Sequence, residues 1–264
     1  MKKIIEKEFK KMNDLLLSEK VIIVTGGSKG IGFAIADMLA MSGAKVIICN
    51  RNEKEGRESA NSIKDKGLKA EFKSIDLSVP SSVKVVVESV HSENGRIDAG
   101  VNSGGHLIVK PALEYDVEEI DNLLQINLRG AFVFAQEVAK AMIPNKCGKL
   151  IFVSSMLAER AVPNQAAYIA TKGGIAALTR ALSIEWAEYN IQVNAIAPQL
   201  TRTPMTEGLF SDPQKMKNVI DRTPAGRAGE SQDVAGLAKF LCSDESDYLT
   251  GQHICVDGGR SAIG

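Results

Sequence analysis

Cysteine and histidine are scarce and scattered. The 264 residues include four cysteines, Cys49, Cys147, Cys242 and Cys255, and three histidines. No CxxC pair and no zinc spacing occurs, so no metal site is expected. The cysteines read as small apolar core residues of a reducing compartment. Net charge is lacking too: 32 Lys plus Arg balance 32 Asp plus Glu. That balance excludes the basic footprint of a nucleic-acid binder and any long-range pull toward phosphate-rich surfaces. No apolar run is long enough to span a bilayer. Met1 to Lys20 is rich in Lys and Glu, with Leu15-Leu16-Leu17 near its end. It has neither the long apolar stretch nor the cleavage site of a signal peptide. Its mixed acids speak against a membrane-surface helix. Residues 1–17 are expected to be an N-terminal extension. A cytoplasmic protein with no membrane or nucleic-acid partner is expected.

What is present is alternation. Hydrophobic residues reach 44%, enough for a sizeable core. Short apolar runs predict strands at Val21–Val24, Val46–Cys49, Ala70–Ile75, Ile97–Val101, Leu150–Val153, Ile191–Ile196 and His253–Val256. Between them, helical periodicity covers Ile31–Ser42, Glu53–Lys66, Ser81–Glu93, Val117–Leu124, Leu128–Met142 and Ala166–Glu188. Gly43 and Gly67 are good helix stops. Strands alternating with helices predict a Rossmann-type α/β fold: a doubly wound parallel sheet of seven strands, helices on both faces. No linker, repeat or low-complexity tract divides the chain, so 18–264 is expected to form one domain. Residues 198–224, with Pro198, Pro204, Pro213 and Pro224 around a short helix, are expected to be a substrate-binding loop region.

Two local patterns carry chemistry. Thr25-Gly26-Gly27-Ser28-Lys29-Gly30-Ile31-Gly32 joins the first strand to the first helix. Glycines there allow a tight turn and let amides approach a pyrophosphate at a helix N-terminus. The second strand ends in Cys49-Asn50-Arg51, with no acid to bind adenosine ribose hydroxyls. Arg51, with Lys29, can pair with a 2′-phosphate instead, which favours NADP(H) over NAD(H). The second pattern is Tyr168-Ile169-Ala170-Thr171-Lys172. On a helix its phenol and ammonium share one face, and the charge is expected to lower the phenol's pKa toward neutrality.

In these residues the chain resembles the short-chain dehydrogenase/reductase family, over about Ser18 to Gly259. Thr25–Gly32 matches the family's cofactor turn, and Asp76-Leu77 its adenine-holding position. Asn102-Ser103-Gly104-Gly105 is similar to its Asn-Asn-Ala-Gly motif. Asn127 matches its helix asparagine, and Ser155 precedes Tyr168 by the usual interval. Val193-Asn194-Ala195-Ile196-Ala197-Pro198 and Val256-Asp257-Gly258-Gly259 match its later signatures.

The resemblance implies a catalytic tetrad of Asn127, Ser155, Tyr168 and Lys172, interconverting a carbonyl and a secondary alcohol. Gly26, Ser28, Lys29, Gly30, Ile31, Gly32, Arg51, Asp76, Leu77, Asn102, Gly104, Tyr168, Lys172, Thr201 and Thr203 would contact NADP(H). The family also implies a homotetramer built on the Asn127 and Tyr168 helices, with Trp186 at an interface or in the core. Ser103-Gly104 in place of Asn-Ala is expected to loosen the backbone. Gln199, where the family has Gly, is expected to crowd the nicotinamide or line the substrate pocket. His106 is placed near the substrate or on an exposed loop. Met156, Leu157, Leu200 and Met205 are placed on an apolar pocket wall or in packing. Glu185 to Asn194 and Arg222 to Arg227 look like gluconate 5-dehydrogenases, which suggests a sugar acid or other small ketone. The overall pattern is also similar to 3-oxoacyl-carrier-protein reductases; Lys146 fits their carrier-docking positions and Tyr189 does not. A noncatalytic NADP(H)-binding scaffold is the alternative of another class, and the complete tetrad speaks against it.

Overall fold

A computed structural model describes residues 16–263. Most of the expected N-terminal extension lies outside the described residues. Leu17 is its one part seen buried, under the first helix layer.

Seven parallel strands form one sheet in the order β3-β2-β1-β4-β5-β6-β7. They are β1 Val21–Thr25, β2 Lys45–Asn50, β3 Ala70–Ser74, β4 Ala99–Asn102, β5 Gly148–Val153, β6 Ile191–Pro198 and β7 His253–Val256. The helices are α1 Gly30–Met41, α2 Glu53–Lys64, α3 Pro80–Asn94, α4 Val117–Leu124, α5 Gly130–Met142, α6 Ala166–Glu185, α7 Glu207–Phe210, α8 Pro213–Asp221 and α9 Ser231–Leu241.

Side chains alternate across each strand, so every central strand feeds two cores. Ile22, Val24, Val46, Ile48 and Ile196 face α1, α2 and α9 through Ile35, Leu39, Ile63 and Val234. Ile23, Ile47, Leu150, Phe152 and Val193 face α3, α5 and α6 through Val83, Phe134, Val138 and Ile175. Burial on both faces is why these strands read as unbroken apolar runs. The chain winds outward from β1 to β3, then returns to lay β4 on the other side of β1. Their C-terminal ends diverge there and open a crevice, where ligands of such sheets bind.

Three expectations need correction. The helix predicted from Leu128 begins at Gly130; Gln125–Arg129 is a π-helical turn continuous with α4. Gly130 allows the close approach, since a Cβ there would lie 2.5 Å from the Leu77 carbonyl oxygen. The helix predicted to Glu188 stops at Glu185; a 3-10 turn, Ala187–Tyr189, follows, and Asn190 at a left-handed φ of 54° turns the chain into β6. Cys147 is exposed rather than in the core; Cys49 and Cys242 are buried. The sequence reading also omitted α9, although Glu230 and Asp233 form a capping box and Val234, Ala235, Ala238 and Leu241 mark its buried face. No helix among the described residues is long and apolar enough to cross a membrane.

Candidate active site

A cavity of about 980 Å³ runs across the C-terminal ends of the strands. One end is made of backbone. Gly26 has φ +64°, and a Cβ there would meet the Gly104 nitrogen at 2.8 Å. A Cβ on Gly32 would lie 2.2 Å from the Gly26 carbonyl oxygen. The glycines thus let the β1 and β4 turns touch and α1 start directly against the sheet. Gly30, at φ +55°, carries Thr203 against it. The first turn of α1 has no side-chain cap and no acidic residue. Its free amides open on the cavity, lined by Ser28, Lys29, Gly30, Ile31 and Gly32. This cradle fits a pyrophosphate: orphan donors, a favourable dipole and no competing carboxylate in the turn.

The adenosine side follows along β2 and β3. Asn50 donates to Ser28 Oγ at 2.5 Å and braces the turn. Arg51 is exposed and has no ion-pair partner among the described residues, whereas Lys29 pairs with Glu55 at 3.2 Å. Asp76 and Leu77 line the cavity. Burial works against ionising Asp76, but hydrogen bonds from Ser78 and the charge of Arg51 outweigh it and hold the carboxyl below its usual range. Gly104 is not loosened: a Cβ there would lie 2.6 Å from Leu77 Cδ1, and its N–H donates to Thr25 Oγ1 at 3.3 Å. Asn102 stands behind this wall, buried, with Nδ2 lacking a partner among the described residues.

Of the four residues expected to be catalytic, Ser155, Tyr168 and Lys172 line the cavity, and Asn127 does not. Ser154 and Ser155 follow β5, and their hydroxyls diverge. Ser155 Oγ accepts from Leu157 N at 3.1 Å, and its hydroxyl lies on the Tyr168 side, where it favours the ionised phenol. Ser154 Oγ instead faces the Lys172 carbonyl at 3.4 Å and His253 Nε2 at 3.1 Å. The fold therefore assigns Ser155, not Ser154, to the Tyr168 side. Tyr168 and Lys172 share one face of α6, with Nζ 5.6 Å from the ring centroid. Lys172 Nζ donates to the Val153 carbonyl at 2.9 Å, the β5 residue just before the serines.

The electrostatics correct the expected tuning. Burial pushes the Tyr168 phenol up to about 12, with the Ser155 hydrogen bond opposing it. Burial also lowers Lys172 to about 8. Desolvation penalises both charged forms, so in the free chain it outweighs the attraction expected between them.

Asn127 sits in the π turn, buried. Its Nδ2 donates to the His106 carbonyl at 2.8 Å and to Thr171 Oγ1 at 3.2 Å, while Oδ1 accepts from His106 N at 2.7 Å. The side chain thus ties the β4 loop to α6, and a Cβ on Gly105 would lie 3.5 Å from Asn127 Oδ1 and 3.9 Å from Lys172 Nζ.

The far end is made of side chains. Met156, Leu157, Leu200 and Met205 all line it, beside His106. Thr201 and Thr203 line it too, and Thr206, which sequence reasoning missed, bonds both through the Thr201 carbonyl at 2.6 Å and Thr203 Oγ1 at 3.0 Å. Gln199 lines the cavity and donates to Thr223 Oγ1 at 2.8 Å, so its amide is turned to the loop. Arg160, Arg222 and Arg260 also border this end. Arg160 bonds the Ser261 and Ile263 carbonyls, at 2.6 and 2.9 Å, and draws the C-terminal segment to the cleft. No local pattern marks Arg160 or Arg260; only the fold brings them together. Trp186 packs against the core.

A family model described as enoyl-(acyl carrier protein) reductase matches residues 26–261. The chain belongs to the short-chain dehydrogenase/reductase family. A tropinone reductase homolog of Arabidopsis thaliana is 39% identical over 243 residues, 92% of this chain and 90% of that protein. A cyclopentanol dehydrogenase of Comamonas testosteroni is 34% identical, over 93% of this chain and 98% of its own. The crystal structure of a gluconate 5-dehydrogenase from Burkholderia cenocepacia, in complex with NADP and tartrate, has a TM-score of 0.92 at 33% identity. It covers 96% of this chain and 100% of that one. Like its family, the chain is an NAD(P)-dependent oxidoreductase acting on alcohol and ketone groups.

Proposed function

We propose that this chain is an NADP(H)-dependent reductase of a small ketone, or dehydrogenase of its alcohol, with Tyr168 as general acid/base. One observation carries the reading. Ser155 and Lys172 flank Tyr168 mid-cavity, between an uncapped glycine-turn helix and an apolar wall edged with arginines.

The dinucleotide, when bound, supplies or accepts the hydride. Ser155 orients and polarises the substrate carbonyl by a hydrogen bond that strengthens as charge develops on oxygen. Tyr168, neutral at working pH, donates its proton to that oxygen. Lys172 holds the nicotinamide ribose hydroxyls and stabilises the phenolate left behind. Asn127 holds a water by its main-chain carbonyl and links Lys172 to solvent. Thr201 and Thr203 hold the carboxamide. Arg51, which makes no ion pair among the described residues, binds the 2′-phosphate, assisted by Lys29; NADP in the similar gluconate 5-dehydrogenase supports this preference.

Arg160, Arg222 and Arg260 favour a ketone bearing an anionic group, such as a sugar acid. Residues 198–224 form the substrate loop of the single domain. Leu124 on α4, Phe132 on α5 and Ile184 on α6 are exposed apolar side chains that suit helix packing in a homotetramer. Four free thiols suit a cytoplasmic setting.

The test is NADPH oxidation against keto-sugar acids, β-keto thioesters and neutral cyclic ketones. Turnover is expected on the keto acids first. NADPH binding without turnover on any carbonyl would return the chain to a scaffold role.

A further inference from the structure

A second constellation lies on the back of the catalytic wall. His253 and Cys255 sit two residues apart on the edge strand β7, so their side chains share one face of the sheet. The turn after Ser155 brings Glu159 beside them across 94 residues of chain. An imidazole nitrogen of His253, Cys255 Sγ and a Glu159 carboxylate oxygen all lie within 4.8 Å of one another. None of the three residues lines the reductase cavity.

The other imidazole nitrogen is already committed. His253 Nε2 meets Ser154 Oγ at 3.1 Å, and Ser154 Oγ meets the Lys172 carbonyl at 3.4 Å. His253 Nδ1 meets a Glu159 carboxylate oxygen at 2.9 Å, so it carries a proton in the metal-free chain; a relay from Nε2–H to Ser154 and from Ser154 O–H to that carbonyl lets a cation take that proton's place. Metal-binding histidines are held in this way, with the second ring N–H given to an oxygen behind the site. The His253 side chain is 5% exposed and that of Glu159 is 58% exposed. The imidazole is therefore fixed, and the carboxylate that meets it at 2.9 Å is reached from solvent. Ligand atoms around a tetrahedral zinc are roughly 3.5 Å apart, a spacing that lies between the 2.9 Å contact of Glu159 with His253 and the 4.8 Å limit on the whole set.

We infer that Glu159, His253 and Cys255 bind a zinc-like divalent cation, with a fourth position open to water. Thiolate and imidazole select borderline-soft cations, whereas Mg²⁺ and Ca²⁺ require oxygen ligands. Sequence spacing hides the site because its ligands come from a turn and a strand far apart in the chain.

Cobalt titration of the full chain tests this, in a Cys147→Ser background that removes the exposed thiol. One Co²⁺ per chain is expected, with d–d bands of four-coordination and a thiolate charge-transfer band. Zn²⁺ should displace it and excess Mg²⁺ should not. Cys255→Ser should abolish the charge-transfer band. His253→Gln and Glu159→Gln should each weaken Zn²⁺ by about tenfold or more, and Ser154→Ala by about tenfold. Glu159→Gln changes an exposed side chain, and metal-free melting curves of every variant separate ligand loss from misfolding. No binding, a charge-transfer band that persists in Cys255→Ser, or Zn²⁺ affinity unchanged in both His253→Gln and Glu159→Gln would overturn the site.

Discussion

The two ends of the cleft are built by opposite means. The glycine end is backbone against backbone: Gly26 on Gly104, Gly32 under the Gly26 carbonyl. The arginine end is held by side chains that reach across β6, the 198–224 segment and the C-terminus: Gln199 to the Thr223 hydroxyl, Thr206 to the Thr201 carbonyl, Arg160 to the Ile263 carbonyl. A site made of backbone is fixed by a few adjacent residues and suits a ligand shared by many enzymes. A site made of side chains changes with single substitutions and suits selection of one substrate. Tyr168 stands where the two meet, so its loss gives the largest expected effect. Tyr168→Phe should lower reduction by about 10³-fold or more while NADPH affinity, read by fluorescence quenching, stays largely intact. Retained turnover would separate the chemistry from this residue.

The glycine end can be tested at its one side-chain-dependent corner. Arg51→Ala with Lys29→Ala should reduce the preference for NADPH over NADH by about 10- to 100-fold, the worth of a lost charged hydrogen bond. Arg51 should carry most of it, because Glu55 already occupies Lys29. Steady-state comparison of the two cofactors checks both statements, and an unchanged preference would refute the assignment.

The junction has a pH signature. Lys172 keeps its charge below about 8 and loses it above, while Tyr168 stays protonated up to about 12. Reduction needs both protons, so kcat/KM, which reports the free enzyme, should be level on the acid side of 8. Above it the rate should fall by roughly tenfold per pH unit. A profile with no break between about pH 7 and 9 would show that the Lys172 charge does not limit the reaction.

The same contrast explains what was legible in the sequence. The strands were visible because burial on both faces leaves uninterrupted apolar runs, as in Val21–Val24. The glycine turn was visible because its geometry is local. The capping box of helix α9 is just as local. The π turn at Gln125–Arg129 was not visible, since it depends on Asn127 reaching His106 and on Leu77 pressing Gly130. The tuning of Tyr168 is hidden for the same reason: helical spacing shows the neighbour Lys172 but not the depth of burial. The arginine cluster joins positions 160, 222 and 260, which no window along the chain contains.

Gln199 offers the smallest and most discriminating test of the side-chain end. Its amide ties the end of β6 to Thr223, whose own hydroxyl donates to the Val219 carbonyl at 2.7 Å in α8. Gln199→Gly removes one neutral hydrogen bond, worth about 1 kcal/mol, and frees the loop's first joint. The substrate KM should rise about fivefold, with kcat and NADPH affinity unchanged, because nothing at the glycine end depends on this bond. Thr223→Val should act through the same contact, so the double variant should cost little more than either single one. Fully additive effects would mean that the two residues act separately, and that β6 does not hold the 198–224 segment through this pair.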